Sequence, residues 1–243
     1  MNLSKTKYIH FCRYGHDVSD QIDIVLNDNV IEQVSEILYL GVWMDSRLSF
    51  KQHCEHVAKK VASATAALYK LRNVLPFFVL KQIYYSLIHS QLVYAVNVWG
   101  IAAKSHLNLV QVIQNRALKL IFGLPHLTRS VNLYAEHGKT ILPVRGLHEF
   151  SILKFVRQVM NEEVLHVTQF EYKTMPFSFR DTYVLSTPFS ITCQGSKRIE
   201  SIGAIYFNRL PREIREIQDT NSFLRNVKNH MMTPSSISRL LKV

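Results

Sequence analysis

Cysteine is scarce and scattered. Cys12, Cys54 and Cys193 are the only three in 243 residues, and no two stand within four positions of each other. That spacing excludes a CxxC zinc or redox signature, and an odd count without a secretory leader argues against a disulfide framework. The eleven histidines have no thiolate cluster to join. His53 and His56 share one helical turn but lack a third ligand, so no metal site is expected. Glycine and proline are also few, eight and seven residues, and no repeat or low-complexity tract occurs, which excludes fibrous and disordered classes. The opening Met-Asn-Leu-Ser-Lys-Thr-Lys lacks the apolar core of a signal peptide. An intracellular protein of cytoplasm or nucleus is expected, not a secreted one.

Charge is missing from one long stretch. Between Gln82 and Ala103 there is no Lys, Arg, Asp or Glu, and the length could cross a bilayer. Gln82, Ser86, His89, Ser90, Gln91 and Asn97 within it would each cost roughly a few kcal/mol in lipid. A buried helix, with no membrane partner, is the expectation.

Acid is missing from another stretch. Residues 51–130 carry ten Lys or Arg and the single acid Glu55, whereas residues 1–50 carry four bases against seven acids. The whole chain has a net charge of +11 and a pI near 9.6. A block with ten cations and one anion either is a solvated basic surface or attracts a polyanion, of which nucleic acid is the commonest.

What is present is a pattern that changes period. Residues 5–11 alternate polar with apolar. Ile22–Leu26 and the run after Asn27-Asp28-Asn29 predict a hairpin about that turn, and residues 37–43 read as a third β-run ending at Met44-Asp45. From Val57 the period becomes helical. Val57, Val61, Ala64, Leu68 and Leu71 share one face, capped by Ser49, with Lys59, Lys60, Lys70 and Arg72 off that stripe. Pro76 interrupts, a second helix runs over Leu80–Gln91, and a third runs over Leu107–Ile121 to a stop at Gly123 and Pro125. A fourth spans Gly146–Glu163. The tail from Gln169 reads as loop broken by Pro176 and Pro188, with helices over Ile199–Leu210 and Asn221–Met231. The expected fold is α+β and mostly α: a short antiparallel sheet over residues 1–49, a helical bundle over 50–130, and a partly irregular region over 131–243.

The order of these segments carries a resemblance. Leu3–Phe11 is similar to the Lys-Thr strand that follows the catalytic motif in non-LTR retrotransposon reverse transcriptases. Tyr39-Leu40-Gly41-Val42, followed by Asp45, Leu48, Phe50 and His53, resembles their primer-grip hairpin leading into the thumb. Tyr84 through Trp99-Gly100 resembles the thumb helix, and Gln114-Asn115-Arg116-Ala117-Leu118 a second helix signature. Gly203–Arg215, with Asn208, Leu210 and Pro211, and then Phe223, resemble a signature of the C-terminal region. The closest resemblance is to jockey-like elements of animals.

The resemblance implies the thumb and tail of an RNA-directed DNA polymerase, with RNA and DNA template-primer as non-specific partners and an upstream palm and fingers segment as another. The family's metal-binding strand lies upstream of the Lys-Thr strand, and no Asp-Asp pair occurs anywhere in this chain. Two-metal phosphoryl transfer needs such carboxylates. The expectation is therefore a chain inactive by itself, holding no cofactor, with Mg²⁺ belonging to an intact parent enzyme. A non-enzymatic, sequence-independent nucleic-acid-binding protein derived from such an element is the alternative.

The candidate nucleic-acid-binding residues are Lys5, Gly41, Lys59, Lys60, Lys70, Arg72, Arg116 and Lys119. Lys5 is either, as the resemblance implies, a cation near the leaving pyrophosphate in an intact palm, or a plain surface lysine. Gly41 is either a primer-grip glycine, which lets backbone approach a nucleic-acid strand, or part of a β-bulge. No catalytic residue is expected.

Overall fold

In the computed structural model, residues 6–11, 23–26, 29–137, 140–164, 168–173 and 183–242 are described. Lys5, the acids Asp17, Asp20 and Asp28, and the turn pair Asn27-Asp28 lie outside them. The fold is α+β and mostly α.

Among the described residues, the N-terminal strands form three two-stranded ribbons. β1 (Lys7–Tyr8), β2 (Val25–Leu26), β3 (Asn29–Val30), β4 (Glu32–Gln33), β5 (Glu36–Tyr39) and β6 (Val42–Asp45) are all short. β2 and β3 pair antiparallel with Leu26 opposite Asn29, which is the expected hairpin. The first ribbon differs from expectation. β1 pairs with β4 in parallel, Lys7 opposite Glu32. Lys7 and Glu32 form an ion pair at 2.9 Å, and the Tyr8 hydroxyl donates to Gln33 Oε1 at 2.9 Å.

Residues 37–43 are not one strand. They turn at Leu40-Gly41 into the antiparallel hairpin β5–β6, with Tyr39 opposite Val42. Both turn residues have positive φ, 46° and 79°. This is the handedness that a two-residue hairpin needs to match strand twist. Glycine accepts it freely, while leucine pays strain.

Asp45 ends the hairpin and starts the bundle. Its carboxylate accepts from the amides of Arg47, Ser49 and Phe50 and from the Ser49 hydroxyl, at 2.9–3.1 Å. Burial alone would raise this carboxyl's pKa, but those donors outweigh it and hold it below the usual carboxylate range. The expected cap residue, Ser49, stands two places before the helix. Its hydroxyl accepts from the Lys51 amide at 3.3 Å, while Phe50 occupies the cap position in left-handed backbone.

The helices follow in order: α1 (Lys51–Leu71), α2 (Phe77–Ile83), a π-helical turn over Tyr84–His89, α3 (Ser90–Val93), α4 (Val96–Trp99) and α5 (Lys104–Ile121). The uncharged stretch breaks at Tyr94-Ala95, where Ala95 takes φ 49°. Among the described residues no helix is long and apolar enough to cross a membrane. Then come α6 (Ser130–Asn132), α7 (Val144–Met160), α8 (Ile199–Asn208), α9 (Arg212–Arg215), α10 (Thr220–Met231) and α11 (Pro234–Leu241). The last was not expected, although Thr233-Pro234 is a recognised helix start.

One apolar cluster runs from Val42 through Val57, Val61, Leu68, Trp99, Val110, Leu118, Ile152 and Phe207 to Leu240. The stripe read from residues 57–71 is its wall on α1.

Candidate nucleic-acid interface

α1 and α5 pack side by side, and the residues between them leave a groove. On α1 the lining positions Ala62, Thr65, Ala66 and Tyr69 follow the i, i+3, i+4, i+7 rule of a single face. Ile113, Arg116 and Leu120 do the same on α5. Two of the α1 residues are alanines, too short to fill the space, and a volume of about 520 Å³ is left open. Lys70, Arg72, Arg116 and Lys119 line it. Among its described lining residues there is no carboxylate.

The structure thus brings together four of the eight candidate residues. The Arg72 guanidinium lies 4.4 Å over the Tyr69 ring, a cation–π contact that fixes its direction. Lys119 donates to the His126 carbonyl at 2.6 Å, which leaves its ammonium further protons for a ligand. Lys59 lines a second cleft along the same helix pair, with Leu109, Val112 and Ile113. Lys60 stands apart. It is exposed, and its charge acts on His53 and His56, away from the groove. Gly41 does not line the groove either. Its turn is held by Tyr94, whose hydroxyl donates to the Leu40 carbonyl at 2.6 Å. Sequence reasoning missed Tyr69 and His126. Tyr69 beside Lys70, three places before Arg72, was the available signal for the first.

Most residues of the signatures noted above are buried in structural work. Gln114 is fully buried; it donates to the Tyr84 hydroxyl and the Leu142 carbonyl and accepts from Tyr134 and Gln111. Asn115 accepts from Tyr134 at 2.9 Å and donates to Ser130 at 3.0 Å. Only Arg116, next in that signature, turns outward. Asn208 makes a two-way pairing with the backbone of Leu185, and Arg215 donates to the carbonyls of Leu210 and Tyr183. The two clamp the irregular segment before α8. A Cβ on Gly203 would sit 2.8 Å from Val156, so that glycine allows α8 to approach α7.

Two buried histidines respond to pH. His53 sits 5.5 Å, ring to ring, from Trp99, and its Nδ1 accepts from the Trp43 amide at 3.4 Å. Burial, then the neighbouring His56 and Lys60, pushes its pKa down to about 4. Burial and then Arg145 push His148 down to about 4 as well. Unfolded, both titrate near 6.5. Between these values the unfolded chain binds protons that the folded chain refuses. Stability is therefore full above about pH 6.5 and falls as pH drops toward 4. We expect a loss of up to about 2 kcal/mol per histidine between pH 7 and pH 5. Urea denaturation at the two pH values measures it. His148→Gln should remove about half of the difference, and an unchanged difference would assign it to other groups.

Over 116 residues the chain is 31% identical to a probable RNA-directed DNA polymerase from transposon BS of Drosophila melanogaster, covering 46% of this chain and 13% of that protein. It is 33% identical over 110 residues to the RNA-directed DNA polymerase from mobile element jockey of the same species, covering 44% and 12%. The jockey protein of Drosophila funebris is 31% identical over 126 residues, covering 51% and 14%. The matches thus span 12–14% of the length of these relatives. No family model matches the chain, and no solved structure does.

Proposed function

From these likenesses to RNA-directed DNA polymerases of jockey-like non-LTR elements, we infer that the chain is the thumb and tail part of such a protein, and that its task is to hold nucleic acid. The observation that carries this is the meeting of Lys70, Arg72, Arg116 and Lys119 around one groove without an acid among its described lining residues. Cations so placed bind phosphates without reading sequence. The face of Tyr69, which is 56% exposed, offers stacking to a sugar or base.

The same residues argue for binding rather than catalysis. The chain has no Asp-Asp pair. Asp45, at the end of the primer-grip-like hairpin, commits both carboxylate oxygens to the hairpin–helix junction. Mg²⁺ belongs, on this reading, to palm residues of a complete polymerase, and RNA and DNA template-primer are the partners.

The test is fluorescence anisotropy with mixed-sequence RNA and DNA at rising salt. Binding near a Kd of about 10⁻⁴ to 10⁻⁶ M is expected close to physiological salt, falling steeply as salt rises. The double variant Arg72→Gln, Arg116→Gln should weaken every sequence equally and flatten the salt slope by roughly one unit per lost contact. Lys60→Gln, away from the groove, should leave the slope nearly unchanged. Binding indifferent to salt, or an equal loss from Lys60→Gln, would overturn the assignment.

A further inference from the structure

A second basic site lies outside the groove. Where the start of α5 meets α7, α8 and α11, a cavity of about 230 Å³ is lined by Lys104, Arg145, Lys197, Arg209 and Arg239. Its one acid is Glu149, which is 4% exposed and pairs with Arg239 at 2.9 Å. Arg145 donates to the Lys242 carbonyl at 2.8 Å, and Arg209 lies 5.7 Å over the Tyr206 ring. Among the described residues, no carboxylate pairs with the other four cations. With Arg239 answered by Glu149, the four remaining like charges around one small cavity repel each other unless a further anion joins them.

Two further observations belong to the same space. His148 lines the cavity, is 3% exposed, and its Nε2 has no hydrogen-bond partner. A buried imidazole nitrogen without a partner is costly unless a ligand supplies one. In addition, α5 begins here at Lys104. The preceding residue is Ala103, which has no side chain to cap it, so the first-turn amides of this 18-residue helix lack a side-chain partner. Amides at a helix start favour an anion.

We propose that this cavity binds a phosphate group. The arginines offer forked donors to its oxygens, the lysines offer point charges, and neutral His148 donates one N–H. The inference does not depend on the groove, because the two cavities share no lining residue. The phosphate comes either from a nucleic-acid backbone or from a free phosphate or nucleotide, and the chemistry is the same.

The experiment is titration of the whole chain with inorganic phosphate, followed by thermal unfolding and by ³¹P line width. Ligand binding to the native state raises Tm. The double variant Lys104→Gln, Lys197→Gln should bind phosphate at least tenfold more weakly. Arg209→Gln, a substitution at an exposed position, should weaken it independently, and circular dichroism without phosphate verifies that each variant is folded. Arg72→Gln, Arg116→Gln in the groove should leave phosphate binding as it was. Competition between phosphate and an oligonucleotide for the cavity identifies the backbone as the source; phosphate binding without competition identifies a free phosphate. Equal protection of the intact chain and the double variant, or no protection of either, would overturn the site.

Discussion

Replacing Gln114 with leucine is expected to cost about 3–5 kcal/mol of stability, although the two side chains are close in volume. The reason lies in what the carboxamide satisfies. Its nitrogen donates to the Tyr84 hydroxyl at 3.1 Å and to the Leu142 carbonyl at 3.0 Å, and its oxygen accepts from Tyr134 at 3.0 Å and Gln111 at 3.1 Å. Tyr134 and Gln111 keep other partners, since Tyr134 also reaches Asn115, and the Gln111 nitrogen still donates to Asn115 and to the Tyr134 hydroxyl. Tyr84 and Leu142 have no other partner in that network, and a buried polar group left unpaired costs about 1–3 kcal/mol. Both tyrosines are fully buried, and their hydroxyls are pushed well above their ordinary pKa by burial, so neither can turn to water or ionise. Urea denaturation followed by circular dichroism measures the cost. A loss below about 1 kcal/mol would mean that the network only fills space.

Trp99→Ala is expected to cost about 3–5 kcal/mol and to loosen the hairpin tip. Trp99 is the largest fully buried side chain among the described residues. Its ring packs against His53, and its indole N–H donates to the Tyr94 carbonyl at 2.8 Å. That bond steadies the break between α3 and α4, and from that break the Tyr94 hydroxyl reaches back 54 residues to the Leu40 carbonyl. Removing the indole leaves a cavity and frees the end of the hairpin's tether. Trp99→Phe keeps most of the volume and should cost less, mainly the lost hydrogen bond of about 1 kcal/mol. Hydrogen exchange at the Leu40-Gly41 turn should accelerate in Trp99→Ala more than in Trp99→Phe. Unchanged exchange would separate the tether from the core.

Signatures noted in the sequence for their likeness to a polymerase family turn out to be mostly instructions for folding. Gln114 and Asn115 build the network between α5 and the segment before α7. Asn208 and Arg215 clamp the irregular stretch around Leu185, and Gly203 lets two helices close. Trp99 and Gly100 seat the end of the uncharged stretch, where a Cβ on Gly100 would collide with His148 at 2.4 Å. The outward-facing cations carry the candidate function; Arg116 and Lys119 stand one helical turn apart, whereas Arg72 lies just past the end of α1.

The sequence by itself determined the helices of the bundle, the face each turns to the core, the stop at Gly123, the hairpin of β2 and β3 and the strongly basic block. Each follows from local rules: period 3.6 against period 2, turn residues and the scarcity of acid. Tertiary structure alone decided the rest. The parallel pairing of β1 with β4 depends on how the chain returns after a hairpin, and no local pattern encodes that. The split of residues 37–43 into two strands comes from two positive-φ residues, one of them leucine, pinned by Tyr94 from far along the chain. Lys59 and Lys60 are neighbours in sequence, yet Lys59 lines the cleft beside α5 while Lys60 is the one whose charge acts on His53, because 100° of helical rotation separates them. The groove and the phosphate cavity exist only where distant helices meet, and charges brought together across that distance leave no mark in local spacing.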